Sequence, residues 1–232
     1  MRTFTLLSAM VIILPLITAT SSSKRGLCYV PSAKHPNDDK IWTSGSINLT
    51  WYYNYKMEPS PVYINDKTLH FVPMLWGASD NDTGTPFYDS VKAQLNSGAN
   101  ISYVLAFNEP DGTYDTGGSA LSVNLAAARW KAEIEPLKDL GIKVGLPAVT
   151  AGESGWTWLE NFFTACDGGC NADFIPVHWY GNFEGMMSHI GRVTTTYPNL
   201  TVWVTEYGFP MQDLTTTEEF YNMSVGAFDS WS

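Results

Sequence analysis

The sequence predicts an α/β fold, a (β/α)8 barrel of the TIM type that lacks its eighth strand and last helix at the C-terminal end. Short apolar runs alternate with stretches of helical periodicity over most of the 232 residues. Most of these runs are continuous and rich in Val, Ile and aromatic residues, which is typical of parallel strands covered on both faces. Strands that alternate with helices form βαβ units and a parallel sheet.

Seven apolar runs are predicted to be the strands of this sheet. They occupy residues 26–30, 47–53, 70–75, 102–107, 143–148, 174–178 and 201–205. A doubly wound open sheet is the alternative, but no G-x-G-x-x-G motif follows the first run. Because an eight-stranded barrel needs one more strand after the final helix, the chain is expected to be incomplete at its C-terminus. The first and seventh strands would then be unpaired edges.

Helical periodicity occupies most of the gaps between the strands. Phe87, Val91 and Leu95 recur at i, i+4 spacing behind Pro86, which suits the first position of a helix. The longest predicted helix contains Trp130 and ends near residue 141. The other predicted helices cover residues 159–166, 186–193 and 215–228.

Composition and charge restrict the partners of the protein. The formal net charge is −10, and no basic cluster is longer than Lys24-Arg25. Because phosphate binding needs concentrated Lys and Arg, nucleic acid and anionic membranes are not expected as partners. A neutral polysaccharide is compatible with this charge. Aromatic residues make up 14% of the chain and can stack on sugar rings, although a large aromatic core explains them equally well.

The first residues predict an export signal. Arg2 precedes an apolar run at residues 6–17, and small residues follow at 18–21. We therefore expect a signal peptide at residues 1–21 and one domain at residues 22–232. A signal anchor is the alternative, but the run is shorter than the roughly 20 apolar residues that span a bilayer. The predicted product is a secreted monomer, extracellular or in the cell wall, with no membrane contact after signal removal.

Other features agree with secretion. Sequons for N-glycosylation occur at Asn48, Asn81, Asn100, Asn199 and Asn222. Cys166 and Cys170 flank a short flexible loop, which predicts a disulfide. Cys28 lies inside an apolar strand pattern and is expected to be a small buried residue.

Two glutamates follow predicted strands. Glu109 stands in Asn108-Glu109-Pro110 after the fourth strand, and Glu206 follows the seventh. Because active sites of barrels lie at the C-terminal ends of the strands, the two carboxylates should face each other across the mouth. Hydrolysis of a glycosidic bond uses such a pair, in which one acid protonates the leaving oxygen while the other carboxylate attacks or activates water. Either glutamate alone could be a solvated residue in a turn.

These residues resemble a clan of retaining glycosidases on (β/α) barrels, and more specifically glycoside hydrolase family 128, the alkali-sensitive-linkage-protein-like β-1,3-glucanases common in fungi. The segments that carry the resemblance are residues 24–27, 72–77, 105–111, 178–180 and 205–208. The resemblance implies cleavage of β-1,3-glucan by double displacement, with Glu109 as general acid/base and Glu206 as nucleophile. Their carboxyl groups should then be roughly 5–5.5 Å apart.

The resemblance also implies a role for Asn108, which is expected to hydrogen-bond the 2-hydroxyl of the sugar. Aromatic residues near strand ends are candidate stacking platforms, with packing as the alternative. These residues are Trp51, Trp76, Trp179 and Tyr207. His178 and Tyr180 are expected to orient the nucleophile or bind hydroxyl groups. Since side chains alternate along a strand, His178, Trp179 and Tyr180 cannot all point inward.

No metal and no cofactor are expected. The four histidines show no H-E-x-x-H or other metal spacing, and the sequence has no G-x-S-x-G motif or P-loop. Three functions stay open: a β-1,3-glucan hydrolase, a non-catalytic glucan-binding protein of the cell wall, and a related clan enzyme that acts on another β-glycan.

Overall fold

A computed structural model of the protein describes residues 24–44 and 48–231. The predicted signal peptide at residues 1–21 lies outside the described residues. The strands are β1 (Gly26–Cys28), β2 (Trp51–Tyr53), β3 (His70–Phe71), β4 (Tyr103–Val104), β5 (Lys143–Val144), β6 (Phe174–Tyr180) and β7 (Thr201–Gly208). The α-helices are α1 (Pro86–Asn96), α2 (Val123–Arg129), α3 (Glu153–Cys166), α4 (Phe183–Thr196) and α5 (Leu214–Ser230). A π-helical turn (Trp130–Ile134) and 3₁₀ segments (Asp38–Trp42, Tyr114–Thr116, Glu135–Leu140) complete the order.

The strands are parallel and follow one another in chain order. They form sheets β1–β2–β3, β4–β5 and β6–β7. Isolated parallel bridges between Met74 and Leu105 and between Gly145 and Phe174 connect these sheets into one row. The predicted α/β class with parallel strands is confirmed. Within residues 24–44 and 48–231 no strand pairing joins β7 to β1, so the first and seventh strands are edges of the row, as expected for a barrel without its eighth strand, and a closed TIM barrel is not observed.

The two ends of the row nevertheless approach each other through side chains. The ring centroids of Trp51 on β2 and Trp203 on β7 are 4.9 Å apart. The Tyr53 hydroxyl donates to the carbonyl oxygen of Thr205 at 3.1 Å. Because β2 and β7 lie near opposite ends of the row, these contacts mean that the row of strands curves round.

Several strands are shorter than predicted because proline interrupts the backbone ladder. Pro73 and Pro147 stand within the third and fifth apolar runs, and proline has no N–H to donate. Beyond them the pairing continues only as isolated bridges, at Met74 and at Ala148. In contrast, β6 and β7 extend past their predicted ends, to Tyr180 and Gly208.

The strands are covered on both faces, as the continuous apolar runs predict. On β4 and just after it, Val104 and Ala106 belong to the large cluster that includes the helices, with Trp130 fully buried. Leu105 points to the opposite face and packs with Phe174 in a separate cluster. This alternation follows from the pleat of a strand.

A buried carboxylate fixes the start of α1. Glu133 is fully buried, and its Oε2 accepts a hydrogen bond from the backbone N–H of Phe87 at 2.7 Å. Its Oε1 pairs with Arg129 one helical turn earlier. Glu133 therefore satisfies one of the free N–H groups at the helix N-terminus.

The predicted long helix before Gly141 is interrupted. α2 continues into a π-helical turn and a 3₁₀ segment that has Pro136 at its start. A proline inside a helix removes a hydrogen bond and clashes with the preceding turn, which explains the change in winding. The segment ends at Gly141 with φ +79°, as expected for a helix that terminates on glycine.

The cysteines and the sequon asparagines differ in how far they are buried. The disulfide between Cys166 and Cys170 is present. The expectation that Cys28 is buried is wrong: it is exposed, because Leu27 and Tyr29 take the buried positions of β1 and the side chains alternate. All five sequon asparagines are exposed. No helix among the described residues is both long and apolar enough to cross a membrane.

Candidate active site

The ends of three strands bring two carboxylates and an imidazole together. Glu109 follows β4, whereas His178 and Glu206 lie opposite each other on β6 and β7, where a register shift after Val177 interrupts the pairing. Such irregularities re-aim side chains near functional sites. One ligand atom from each of the three residues lies within 4.8 Å of the others. The predicted convergence of the two glutamates is therefore observed in the structure.

The backbone at Glu109 has an unusual conformation. Its φ of +38° is in the left-handed region, which a side chain with a Cβ rarely adopts. The conformation is held by hydrogen bonds from its N–H to the Ala148 carbonyl at 2.7 Å and from the Gly112 N–H to its carbonyl at 2.8 Å. Gly118 also approaches closely, since a Cβ there would lie 2.5 Å from the Glu109 carbonyl oxygen. The surrounding loop therefore determines where the Glu109 carboxylate points.

His178 bridges the two carboxylates. Its side chain is 2% exposed, with Nδ1 2.9 Å from Glu109 Oε1 and Nε2 3.4 Å from Glu206 Oε1. A neutral imidazole carries one N–H and can donate to only one of the two carboxylates at a time. The tautomer of His178 thus couples the two acids.

Tyrosine hydroxyls surround the Glu206 carboxylate. Tyr55 donates to Oε1 at 2.7 Å and Tyr180 to Oε2 at 2.8 Å, while the Tyr53 hydroxyl is 3.5 Å from Oε1. Two phenols, from the loop after β2 and from β6, therefore donate to the two oxygens of one carboxylate, while the proton of Tyr53 is directed at the Thr205 carbonyl. A carboxylate that accepts several hydrogen bonds is stabilised in its charged form.

The tyrosines stay protonated in this environment. Burial and then the negative charge of Glu206 raise the pKa of Tyr180 well above its ordinary value. Burial, followed by electrostatic interactions with Cys28 and Glu206, raises the pKa of Tyr55 in the same way. Both phenols are therefore hydrogen-bond donors across the neutral pH range.

Asn108 offers an unused acceptor beside Glu109. Its side chain is buried, and Nδ2 donates to the Gly117 carbonyl at 3.0 Å. Oδ1 is buried without a hydrogen-bond partner in the described part of the chain. Buried polar atoms are normally paired, so a ligand hydroxyl is a natural partner for this oxygen.

Trp76 lies close to Asn108 and is half-buried. The carbonyl of Trp76 accepts the backbone N–H of Asn108 at 2.9 Å. The ring centroid of Trp76 is 6.1 Å from that of Tyr114, which is 66% exposed. The two rings form a partly open aromatic surface on the Asn108 side of the site.

The other predicted aromatic residues are not brought to the carboxylates. Trp51 stands at the amino-terminal end of β2, away from the site, where its ring packs against Trp203. Trp179 points toward α4, and its Nε1 donates to the Asn182 carbonyl at 2.9 Å. Tyr207 packs its ring against aromatic residues of α5. Alternation along β6 and β7 accounts for the last two, since His178, Tyr180 and Glu206 occupy the neighbouring positions.

The sequence reasoning missed Tyr53 and Tyr55. Both belong to the aromatic run Trp51-Tyr52-Tyr53-Asn54-Tyr55 at the end of the second predicted strand. Residues two apart share a face in an extended chain, and residues at the carboxyl end of a parallel strand reach the site. The position of Tyr53 in this run was thus the available signal, whereas Tyr55 lies beyond the strand with φ +59°, where this alternation does not apply.

Among the described residues, Glu109, His178 and Glu206 are spaced so that they could hold a metal ion. A pair of carboxylates is also what glycoside hydrolysis requires, and this chemistry uses no cation. The network of phenols around Glu206 fits a carboxylate whose charge is stabilised by hydrogen bonds.

Comparison with known proteins gives one matching family and a set of relatives. A profile described as "Glycosyl hydrolase catalytic core" matches residues 26–232. Alkali-sensitive linkage protein 1 of Schizosaccharomyces pombe is 28% identical over 189 residues, which cover 80% of this chain and 31% of the relative. The chain thus spans about a third of the length of this curated relative.

Solved structures of glycoside hydrolase family 128 are similar in fold. An exo-β-1,3-glucanase from Blastomyces gilchristii, described as curdlan-specific, superposes with a TM-score of 0.74 at 26% identity, covering 92% of this chain and 88% of that chain. An oligosaccharide-binding protein from Trichoderma gamsii superposes with a TM-score of 0.63 at 25% identity, covering 79% and 72%.

Proposed function

Because the chain belongs to the glycosyl hydrolase catalytic core family, we propose that it is a retaining glycoside hydrolase that cleaves β-1,3-glucan. The resemblance to family 128 is confirmed by the profile, the S. pombe relative and the structural neighbours. A β-1,3-glucan substrate is supported by the activity of the Blastomyces neighbour.

The observation that carries the proposal is the convergence of Glu109 and Glu206, since one carboxylate oxygen of each lies within 4.8 Å of the other and of a ring nitrogen of His178. Carboxyl groups of retaining enzymes are about 5–5.5 Å apart, whereas inverting enzymes leave about 6.5–9.5 Å for a water molecule. The close approach supports direct attack by one carboxylate on the sugar.

In the first step Glu206 attacks the anomeric carbon, and the bond to the leaving sugar breaks. Glu109 gives its proton to the leaving oxygen, so that a glycosyl ester on Glu206 and a free sugar hydroxyl result. In the second step Glu109 takes a proton from water, whose oxygen attacks the same carbon and releases the Glu206 carboxylate. The phenols of Tyr55 and Tyr180 support the role of Glu206, because a nucleophile must be ionised.

The other side of the cleft offers contacts for the sugar itself. The unpaired Oδ1 of Asn108 supports hydrogen bonding to a substrate hydroxyl, as the resemblance implies for the 2-hydroxyl. The Trp76–Tyr114 surface supports stacking on a neighbouring sugar ring.

A direct assay tests the proposal. The purified protein is incubated with curdlan, laminarin, cellulose and mannan, and reducing ends are measured. We expect release from the β-1,3-glucans, with nuclear magnetic resonance detecting the β-anomer first. The matched control is the Glu206→Ala variant, which should release nothing. Early appearance of the α-anomer would contradict retention, and release from cellulose or mannan alone would favour a different clan activity.

A second candidate function is oligosaccharide binding without hydrolysis. It is favoured by the similarity to the Trichoderma gamsii binding protein. In calorimetry this alternative predicts that laminarin-derived oligosaccharides bind the wild-type protein and are recovered uncleaved.

We also propose secretion, with residues 1–21 as signal peptide, residues 22–232 as the catalytic domain, and a glycosylated monomer acting at the cell wall. The exposure of all five sequon asparagines supports glycosylation. For the fold, the parallel strands in chain order and the curved row support a (β/α) barrel arrangement. Amino-terminal sequencing of protein from the culture medium should begin near residue 22, and glycosidase treatment should lower its mass.

A further inference from the structure

We propose that Tyr55 and Cys28 form a hydrogen-bond chain that positions Glu206 and stabilises its charge. This inference rests on the proposed hydrolase function. Tyr55 and Cys28 act as positioning residues, because they act on the reaction through Glu206.

The direction of the hydrogen bonds follows from counting protons. Tyr55 Oη lies 2.7 Å from Glu206 Oε1 and 3.1 Å from Cys28 Sγ. An ionised carboxylate can only accept, so the single phenolic proton of Tyr55 is directed at Glu206. The Cys28 thiol must then donate its S–H to the phenolic oxygen. The result is a chain of two hydrogen bonds, from Cys28 to Tyr55 and from Tyr55 to Glu206.

The thiol is in the right protonation state for this role. Although the residue as a whole is exposed, the protein atoms around its sulfur reduce solvation and raise the pKa of Cys28. Cys28 is thus an S–H donor at neutral pH, rather than a thiolate that would repel Glu206.

The hydrogen-bond chain depends on an unfavourable backbone conformation at Tyr55. Tyr55 has φ +59°, in the left-handed region that non-glycine residues rarely adopt. Its ring packs edge-on against Tyr53, with centroids 5.1 Å apart, and Tyr53 pairs with Cys28 in the register of β1 and β2. A strained residue held in place by its neighbours is often found where a side chain must be aimed.

The titratable groups around Glu206 come from three parts of the fold. Tyr53 and Tyr55 approach from β2 and the loop after it, and His178 and Tyr180 approach from β6. Glu109 reaches the same imidazole from the β4 side. Tyr55 makes the shortest of these contacts with Glu206, so its removal should have a distinct effect on the ionisation of this cluster.

The test uses Tyr55→Phe, which removes one hydroxyl and keeps the ring. We expect kcat to fall about 10- to 100-fold, the range for losing a hydrogen bond to a charged group. KM and oligosaccharide affinity should change little, and the acidic limb of the pH–rate profile should move to higher pH. Cys28→Ala should shift the profile in the same direction by less, and Cys28→Ser, which keeps a donor, should restore it.

The matched control is Tyr63→Phe, since the Tyr63 hydroxyl also donates a hydrogen bond, but to the backbone carbonyl of Asp39, away from the site. Its kcat and pH profile should stay those of the wild type. A Tyr55→Phe enzyme that is folded and keeps the wild-type kcat and pH profile overturns the inference. An equal fall in the kcat of Tyr63→Phe would assign the effect to general packing, and it would also overturn the inference.

If the wild-type protein cleaves none of the polymers, the proposed function fails separately. The hydrogen-bond chain is then decided by nuclear magnetic resonance titration of glutamate side-chain carbons. Tyr55→Phe should move one glutamate titration to higher pH and Tyr63→Phe should move none. An unchanged glutamate titration in Tyr55→Phe overturns the proposed hydrogen-bond chain.

Discussion

The surroundings of Glu109 and Glu206 differ, although both carboxylates are similarly buried, with side chains 13% and 10% exposed. In the described part of the chain, the Glu109 carboxylate has a hydrogen bond with His178. Glu206 is contacted by phenols on both of its oxygens and by the other nitrogen of the same imidazole. The carboxylate of Glu109, after β4, thus has few hydrogen-bond donors around it, and the carboxylate of Glu206, on β7, has several.

This difference shows how two identical side chains can take different roles. Hydrogen bonds to a carboxylate favour its charged form, and burial without donors favours the neutral form. Two carboxylates whose environments separate their protonation states are the usual arrangement for an acid and a nucleophile. The donors around Glu206 therefore support its proposed role as nucleophile, with Glu109 as the proposed general acid.

The largest expected effect comes from removing the carboxylate with many donors. Glu206→Ala should lose activity on the order of 10⁵-fold or more, the scale seen when a covalent nucleophile is removed. Added azide should restore turnover and yield the glycosyl azide of inverted configuration, because azide then attacks the face that Glu206 occupied. A product of retained configuration would reverse the two roles.

Removing the other carboxylate should cost less. Glu109→Ala is expected to reduce hydrolysis of the polymer by about 10²- to 10⁴-fold, the usual contribution of general acid–base catalysis. An aryl glycoside with an acidic leaving group needs no protonation, so its first step should be nearly unaffected. Here azide should give the retained glycosyl azide. Equal losses on polymer and aryl glycoside would contradict the assignment of Glu109 as acid.

Tyr180→Phe sharpens the comparison on the Glu206 side. Tyr180 contacts the oxygen of Glu206 that Tyr55 does not contact. A loss of about 10-fold in kcat is expected, at the lower end for a bond to a charged group, because Tyr180 is the more exposed of the two phenols. Steady-state kinetics on laminarin checks this. A greater loss than in Tyr55→Phe would reverse their order.

The smallest effect should appear in stability at alkaline pH. The pKa of Tyr55 and of Tyr180 is raised in the folded protein, by burial first. Above the ordinary phenol pKa of about 10, the unfolded chain therefore releases protons that the folded protein keeps. Their contribution to stability is complete below that pH and is lost as the pH rises. Urea unfolding between pH 8 and 11 should show a shallower decline in each Phe variant than in the wild type.

The sequence predicts the elements that approach the site better than it predicts the contacts made there. Glu109, His178, Tyr180 and Glu206 could be found because each follows or ends an apolar run, and ends of parallel strands converge. Tyr55 could not be assigned, because it stands beyond a short strand in a left-handed conformation that no pattern encodes. The same limit applies to the whole set of donors around Glu206, because tertiary packing brings them together from different strands.

Packing residues were harder to distinguish from binding residues. Trp51, Trp179 and Tyr207 stand near strand ends in the predicted pattern, as Trp76 does, but their rings pack against Trp203, α4 and α5. Which face a strand residue occupies depends on register, and the shift after Val177 cannot be read from apolar periodicity. The curvature of the row of strands is equally absent from local patterns, since contact between its two ends is a long-range property.

The left-handed backbone at Glu109 implies a trade-off between endurance and turnover. Strain of this kind costs on the order of 1–3 kcal/mol, and glycine tolerates the conformation without it. A Glu109→Gly variant should consequently melt at a higher temperature than the parent, while it loses the proposed general acid and with it about 10²- to 10⁴-fold of its activity on the polymer. The folded state would then be more stable without the side chain that the proposed reaction needs. Differential scanning calorimetry of the two proteins would measure this difference in melting temperature.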